Sequence, residues 1–321
     1  MELEISSIKL DLSVPWKLSR NESLFKNNFI ITLKDAGLVA SSEVAPNIRY
    51  GETPEIILQE FESFKNLPSS YLERLDARAW KHSLRFALES AYLNLEAQKK
   101  KLSLATLLNL KGPFEIETCF SVPIMEIADV ESYVKKLSRF KSLKIKVNKD
   151  CALDLVREVH RCAPNALLRI DGNEAWDNLE DYLEFERAVA GFAIEFIEQP
   201  FAASRKDLYR SLYPQTQFCI MADESIEDVD NLDELKTMFH AVNVKLMKTG
   251  SLIKGRDLLI RARALGLKTM VGCMIESGLG ISYALYLSEL VDWADLDGFL
   301  LIKNNPFPII EEVDGIVRFK E

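Results

Sequence analysis

From about residue 114 onward the chain alternates short apolar runs with amphipathic stretches. The runs fall at 115–122, 143–147, 167–172, 193–198, 219–223, 242–247, 268–273 and 293–297. Their centres recur about every 25 residues, which leaves room for a strand, a helix of about three turns and two loops. Between them, residues 151–161 place Leu155, Val156 and Val159 on one helical face, and residues 253–265 do the same with Leu258, Leu259 and Ala262. Eight such units predict an α/β protein with a parallel barrel. A doubly wound open sheet uses the same local units. The placement of polar residues separates the two: here they fall at the C-terminal ends of successive strands, where a barrel assembles a site from many loops.

Residues 1–113 read differently. Two strand-like stretches, 3–12 and 28–34, the second running into Asp35-Ala36-Gly37, precede a helical region from Pro54 to about Leu108. This predicts an α+β domain over 1–113 and a barrel over 114–302. The tail, 303–321, holds Pro306 and Pro308 and is expected to pack back on the first domain.

The candidate chemistry lies on the strand ends. Asp171, Glu198 and Asp223 close three consecutive strands at spacings of 27 and 25 residues (171 to 198, 198 to 223). Three converging anions repel one another unless a cation holds them. Oxygen ligands on a rigid frame favour a hard divalent ion, Mg²⁺ first. The plainer alternative is three strand-end carboxylates, each capping the helix that follows. Lys144 and Lys146 alternate onto one face of the preceding strand, and Lys245 lies on the strand after Asp223. In a barrel the second and sixth strands stand across the mouth, so Lys146 and Lys245 would flank one bound carbon as acid and base. The alternative for Lys245 is a structural pair with Asp223 or Asp171. Asp295 and Asp297 share a face of the last strand, and suit either a substrate ammonium group or loop capping.

Composition narrows the setting. A hydrophobic fraction of 48% and a charged fraction of 28% support a large core. A net charge of −9 and the lack of a basic stripe argue against a nucleic-acid partner. Five cysteines without a C-x-x-C pair point to free thiols in a reducing cytoplasm. No apolar run is long enough to span a membrane, and Met1-Glu2-Leu3-Glu4-Ile5 lacks a cationic leader. The partner expected is a small molecule, with a homo-oligomer as the expected assembly.

The motifs Lys144-Ile145-Lys146, Asp171-Gly172-Asn173, Glu198-Gln199-Pro200, Asp223-Glu224-Ser225 and 243–250 (Asn-Val-Lys-Leu-Met-Lys-Thr-Gly) resemble the enolase superfamily, muconate-lactonizing subgroup. The resemblance extends to Gly51-Glu52 in the first domain. Within the subgroup, 270–277 and Asp295-Leu296-Asp297 look most like the dipeptide epimerases. This implies a (β/α)7β modified TIM barrel under an N-terminal α+β capping domain. It also implies Mg²⁺ on Asp171, Glu198 and Asp223, with Lys146 and Lys245 as acid and base. Lys144 would hold the substrate carboxylate or tune Lys146, and Asp295 and Asp297 would take a dipeptide ammonium. Cys273 and Ile275 would line the substrate site. The implied reaction is removal and return of the α-proton of a dipeptide's C-terminal residue. Rival activities in the subgroup, o-succinylbenzoate synthase, N-succinylamino acid racemase and muconate cycloisomerase, act on substrates without a free ammonium. A non-catalytic binding protein on the same barrel is the remote alternative.

The chain also departs from the pattern. Ser251 stands where a second glycine is common, and Asn173-Glu174 follow Gly172 where Ala-Asn-Gln is frequent. Residues 16–28, expected as a specificity loop, match little. In them Arg20 is a candidate for meeting an acidic side chain, with a surface position as its alternative.

Overall fold

The structure is a computed structural model that describes residues 1–18, 21–226 and 231–320. The chain opens with an antiparallel sheet of β1 (Glu2–Leu18), β2 (Asn21–Asp35) and β3 (Leu38–Val44), in that order. Alternation along β2 sends Phe29, Ile31 and Leu33 into a core shared with three helices, while Ile30 faces the barrel. Those helices are α1 (Pro54–Lys65), α2 (Tyr71–Asp76) and α3 (His82–Lys99). Thr53 caps α1 and accepts a hydrogen bond from Ile56 N, with Pro54 in the first turn. In α3, Leu84, Leu88, Ala91 and Leu95 recur at helical spacing and close the same core.

The sequence placed a loop at 16–28; the chain instead continues as a long hairpin, with Trp16 opposite Ser23 and Leu18 opposite Asn21. Its register breaks between Asp11 and Trp16. There the backbone turns to the barrel: Ser13 N donates to Leu301 O (2.8 Å) and Lys303 N to Asp11 O (2.8 Å).

The second sheet holds eight parallel strands in sequential order. They are β5 (Phe120–Val122), β6 (Ser142–Lys146), β7 (Leu167–Asp171), β8 (Ile194–Glu198), β9 (Ile220–Ala222), β10 (Ala241–Lys245), β11 (Lys268–Gly272) and β12 (Trp293–Asp295). A parallel bridge between Thr118 and Ala294 brings the first and last strands together. The eight expected runs are thus the eight barrel strands, with one exception in extent. Residues 115–122 split, because β4 (Glu115–Glu117) leaves the barrel to pair with the tail.

That tail forms a hairpin of β13 (Ile310–Val313) and β14 (Ile316–Phe319). Asp314 and Gly315 turn it at φ 51° and 81°, the geometry two-residue hairpins favour. Its β14 pairs with β4, and Ile310 and Val317 enter the barrel's core rather than the first domain's. Among the described residues, no helix is long and apolar enough to cross a membrane.

Candidate active site

The polar strand ends converge as the spacing requires. Lys144, on β6, is fully buried, with Nζ 2.7 Å from Glu198 Oε2, 2.7 Å from Asp295 Oδ2 and 3.1 Å from Asp171 Oδ2. Lys146, two residues on and on the same face, reaches Asp171 Oδ2 at 2.9 Å. Across the barrel on β10, Lys245 Nζ stands 2.7 Å from Asp223 Oδ2. The second carboxylate oxygen of each strand end is also held. Asp171 Oδ1 accepts from Asn173 N and Nδ2 (3.1 and 2.7 Å), Glu198 Oε1 from Asn243 Nδ2 (2.7 Å), and Asp223 Oδ1 from Lys248 Nζ (2.6 Å).

Backbone detail makes room for this. Gly272 is the register partner of Lys245; a Cβ there would stand 2.5 Å from Asn243 Oδ1 and 3.1 Å from Lys245 Cε. Asn173, Glu174 and Gln199 all take positive φ (44°, 66° and 41°), a conformation that costs about 1–3 kcal/mol each in a residue with a side chain. The loops after β7 and β8 interlock to hold them: Glu174 N donates to Gln199 O (2.8 Å), and Gln199 Oε1 accepts from Asp223 N (3.0 Å).

Burial disfavours the Lys144 and Lys245 ammonium groups, but their carboxylate partners outweigh it. The Lys144 pKa is raised well above the usual range by Asp171, Asp295 and Glu198, and that of Lys245 by Asp223. Burial likewise works against the Asp171 and Asp223 anions, and the lysines overcome it and lower both. Glu198 is raised, by burial and then by its anionic neighbours against the pull of Lys144. Glu224 is pushed up to about 8 by burial, Asp223 and Asp171.

Above these groups lies a cavity of about 700 Å³ between barrel and cap. Lys146, Asp223 and Lys245 reach its wall, as do Cys273, Ile275, Asp295 and Asp297. Lys144 is not among them: it is fully buried, and its Nζ joins Asp171, Glu198 and Asp295 to one another. Asp295 is bonded to Lys144 and accepts from Cys119 Sγ (3.3 Å). Asp297 accepts from Ser121 N (2.6 Å), and burial followed by Asp295 pushes its pKa up to about 7. Arg20 lies outside the described residues. Glu195 bonds Arg169 on the adjacent β7 and Trp293 on β12, and Glu276 is buried and accepts from Met274 N.

The model of the family described as "Enolase C-terminal domain-like" matches residues 127–293. An L-Ala-D/L-amino acid epimerase of Pedosphaera parvula is 32% identical over 90% of this chain and 87% of that protein. An L-Ala-D/L-amino acid epimerase of Flavobacterium johnsoniae is 28% identical over 99% and 97% of the two chains. Among solved structures, a dipeptide epimerase from Methylococcus capsulatus, complexed with Mg and L-Arg-D-Lys, superposes with a TM-score of 0.86 at 26% identity, covering 100% of this chain and 97% of that one. The chain belongs to the enolase superfamily.

The donor set of this enolase-superfamily barrel fits a hard divalent cation. Three buried carboxylates arrive from adjacent strands, with Asp171 and Glu198 in direct register. Glu198 Oε2 accepts no well-formed hydrogen bond, although Lys144 Nζ stands close by. A surface cluster of Glu131, Glu158 and Cys162 is a poorer candidate, because Arg161 already pairs with both of its carboxylates.

Sequence reasoning missed four residues of this site. Lys248 and Asn243 bond the carboxylates Asp223 and Glu198, and both sit inside the 243–250 motif, so their spacing from Lys245 was a usable signal. Arg49 and Lys26 come from the capping domain, and no local pattern marks them.

Proposed function

We propose that this protein is a Mg²⁺-dependent dipeptide epimerase. The observation that carries the reading is the pair Lys146 and Lys245, set on the second and sixth of eight strands with the carboxylate cluster between them. Asp171, Glu198 and Asp223 would hold the cation. Bound there, Mg²⁺ would draw charge from the substrate carboxylate and acidify its α-carbon.

The chain's residues supply the rest. One lysine takes the α-proton from one face, and the other returns a proton to the opposite face, which inverts the centre. Each lysine is held by a strand-end carboxylate, Lys146 by Asp171 and Lys245 by Asp223, and the configuration of the substrate decides which acts as base and which as acid. Lys144 stays buried and balances Glu198 and Asp295, keeping the carboxylates in place through the cycle. The substrate ammonium sits at Asp297, whose carboxylate is held by the backbone N–H and the side chain of Ser121. An acid in that position disfavours the N-acylated and dicarboxylate substrates of the rival activities.

The cavity also indicates the substrate's side chains. Lys26 lies on β2 opposite the buried Leu10 and two residues from Asn28, whose Nδ2 donates to Ile275 O (3.0 Å), so it faces inward. It forms no ion pair among the described residues, and burial lowers its pKa. A desolvated, unmatched ammonium favours a carboxylate on the ligand. The preferred dipeptide therefore carries an acidic side chain.

The test is a panel of L,L-dipeptides in D₂O with Mg²⁺, read by mass spectrometry for α-deuterium and by chiral chromatography for inversion. Exchange with inversion on acidic dipeptides is expected. A panel that shows no exchange with any dipeptide ends the reading.

A further inference from the structure

The capping domain reaches the loops beside the carboxylate cluster through Arg49. Arg49 sits in a 3-10 turn (Ile48–Tyr50) braced at both ends. Asn47 Oδ1 accepts from Arg49 N (3.0 Å), and Glu52 accepts from Asn47 N (3.2 Å) and from Ser83 N on α3 (3.0 Å). From this base the guanidinium crosses to the barrel. Its Nη2 lies 2.7 Å from Glu174 Oε2 and its Nη1 3.4 Å from Glu224 Oε1.

Both partners adjoin cation ligands. Glu174 is three residues past Asp171, in the left-handed stretch that also places Asn173 against Asp171. Glu224 is next to Asp223, and its Oε2 is buried without a hydrogen bond. Between the two loops stands Glu198, and Glu174 Oε1 accepts from Ala203 N (2.8 Å) in the loop beyond it. One cap residue thus fastens the loops that follow β7 and β9, with β8 enclosed between them. Glu174, which stood out in the sequence as a departure from the usual motif, is the carboxylate that makes the bridge two-ended.

We propose that Arg49 is a positioning residue that couples docking of the cap to the geometry of the Mg²⁺ ligands, and so tightens the cation site although it is itself a cation. The proposal rests on the Mg²⁺ reading above. Its sign distinguishes it from simple charge. By Coulomb's law alone, deleting a positive group beside a cation site strengthens Mg²⁺ binding. A clasp that orients ligands works the other way, since losing an outer-shell partner commonly costs 10- to 100-fold in metal affinity.

The experiment is isothermal titration of Mg²⁺ into the full chain, without substrate, for wild type, Arg49→Gln and Arg49→Lys. Weakening of about tenfold is expected in Arg49→Gln. Arg49→Lys keeps the charge but spans only one carboxylate at a time, so an intermediate weakening is expected. Circular-dichroism melting of each variant identifies one that fails to fold, and the lysine variant then carries the test. Unchanged or tighter Mg²⁺ binding in the folded variants overturns the clasp. A wild type that binds no Mg²⁺ overturns instead the metal reading on which the clasp rests.

Discussion

Two sectors of the barrel mouth differ in how far their charges are satisfied. In the sector from β7 to β10, Asp171, Glu198 and Asp223 each meet a lysine and at least one further donor, and the loops above them are interlocked. In the sector formed by β11, β12 and the inner face of β2, the wall includes Phe25, Asn28, Cys273, Met274 and Ile275. Asp297 there is held by the neutral donors of Ser121, and Lys26 has no ion partner among the described residues. On the function proposed above, the first sector is preorganised for chemistry that does not change with the substrate, and the second leaves charges for a ligand to meet and would set which ligand is taken.

The largest effect should come from breaking the compensated sector. Lys245→Ala or Lys146→Ala removes one of the two proposed proton carriers, and epimerisation should fall about 10²- to 10⁴-fold. Chiral chromatography of the reaction checks the loss of inversion. An activity within a few-fold of wild type in either variant would show that the pair does not carry the proton.

A smaller and differently shaped effect is expected across the mouth. Asp297→Asn replaces a charge-assisted contact with a neutral one, a loss of about 1.5–3 kcal/mol that should appear mainly as a higher KM for the dipeptide. The pH profile sharpens the test. Asp297 titrates near 7 because burial and Asp295 favour its protonated form. Only the ionised form receives an ammonium, so wild-type kcat/KM should fall as pH drops through about 7. That limb should be absent in Asp297→Asn. A profile unchanged by the substitution would place the ammonium elsewhere.

Smaller again is the preference set by Lys26. In matched acid and amide dipeptides, Lys26→Gln should erase the preference for the acid while leaving the rate on neutral dipeptides within about twofold, as for a contact made by uniform binding. Equal rates on acid and amide forms by the wild type would remove Lys26 from the second sector's role.

The sequence showed the first sector more clearly than the second, for a physical reason. A parallel barrel repeats one local unit, so the spacing of Asp171, Glu198 and Asp223 marked their convergence without any long-range information. Alternation likewise put Lys144 and Lys146 on one face. It could not show that Lys144 would be sealed under the cavity, because that depends on Asp295, 151 residues away. Arg49 and Lys26 were illegible for the same reason: each takes its meaning from the barrel loops that a separate sheet is laid against. The split of 115–122 depended on the tail hairpin nearly 200 residues later.

The smallest expected effect bounds the comparison from outside the mouth. Ser251, where the usual motif has glycine, caps the helix Leu252–Ala264: its Oγ accepts from Lys254 N (3.0 Å) and donates to Glu89 Oε2 on α3 (2.6 Å). Glu89 also accepts from Leu252 N (2.7 Å), so barrel helix and cap helix are joined behind β10. Ser251→Ala should cost about 1 kcal/mol through the lost cap, seen as a melting point lower by a few degrees at most. Because this joint lies outside both sectors, kcat and KM should stay at wild-type values. A changed kcat in a variant that melts near normally would mean that the seating of α3 reaches Lys245 through β10. The division between a self-sufficient chemical sector and a ligand-completed one would then have to be redrawn to include the cap.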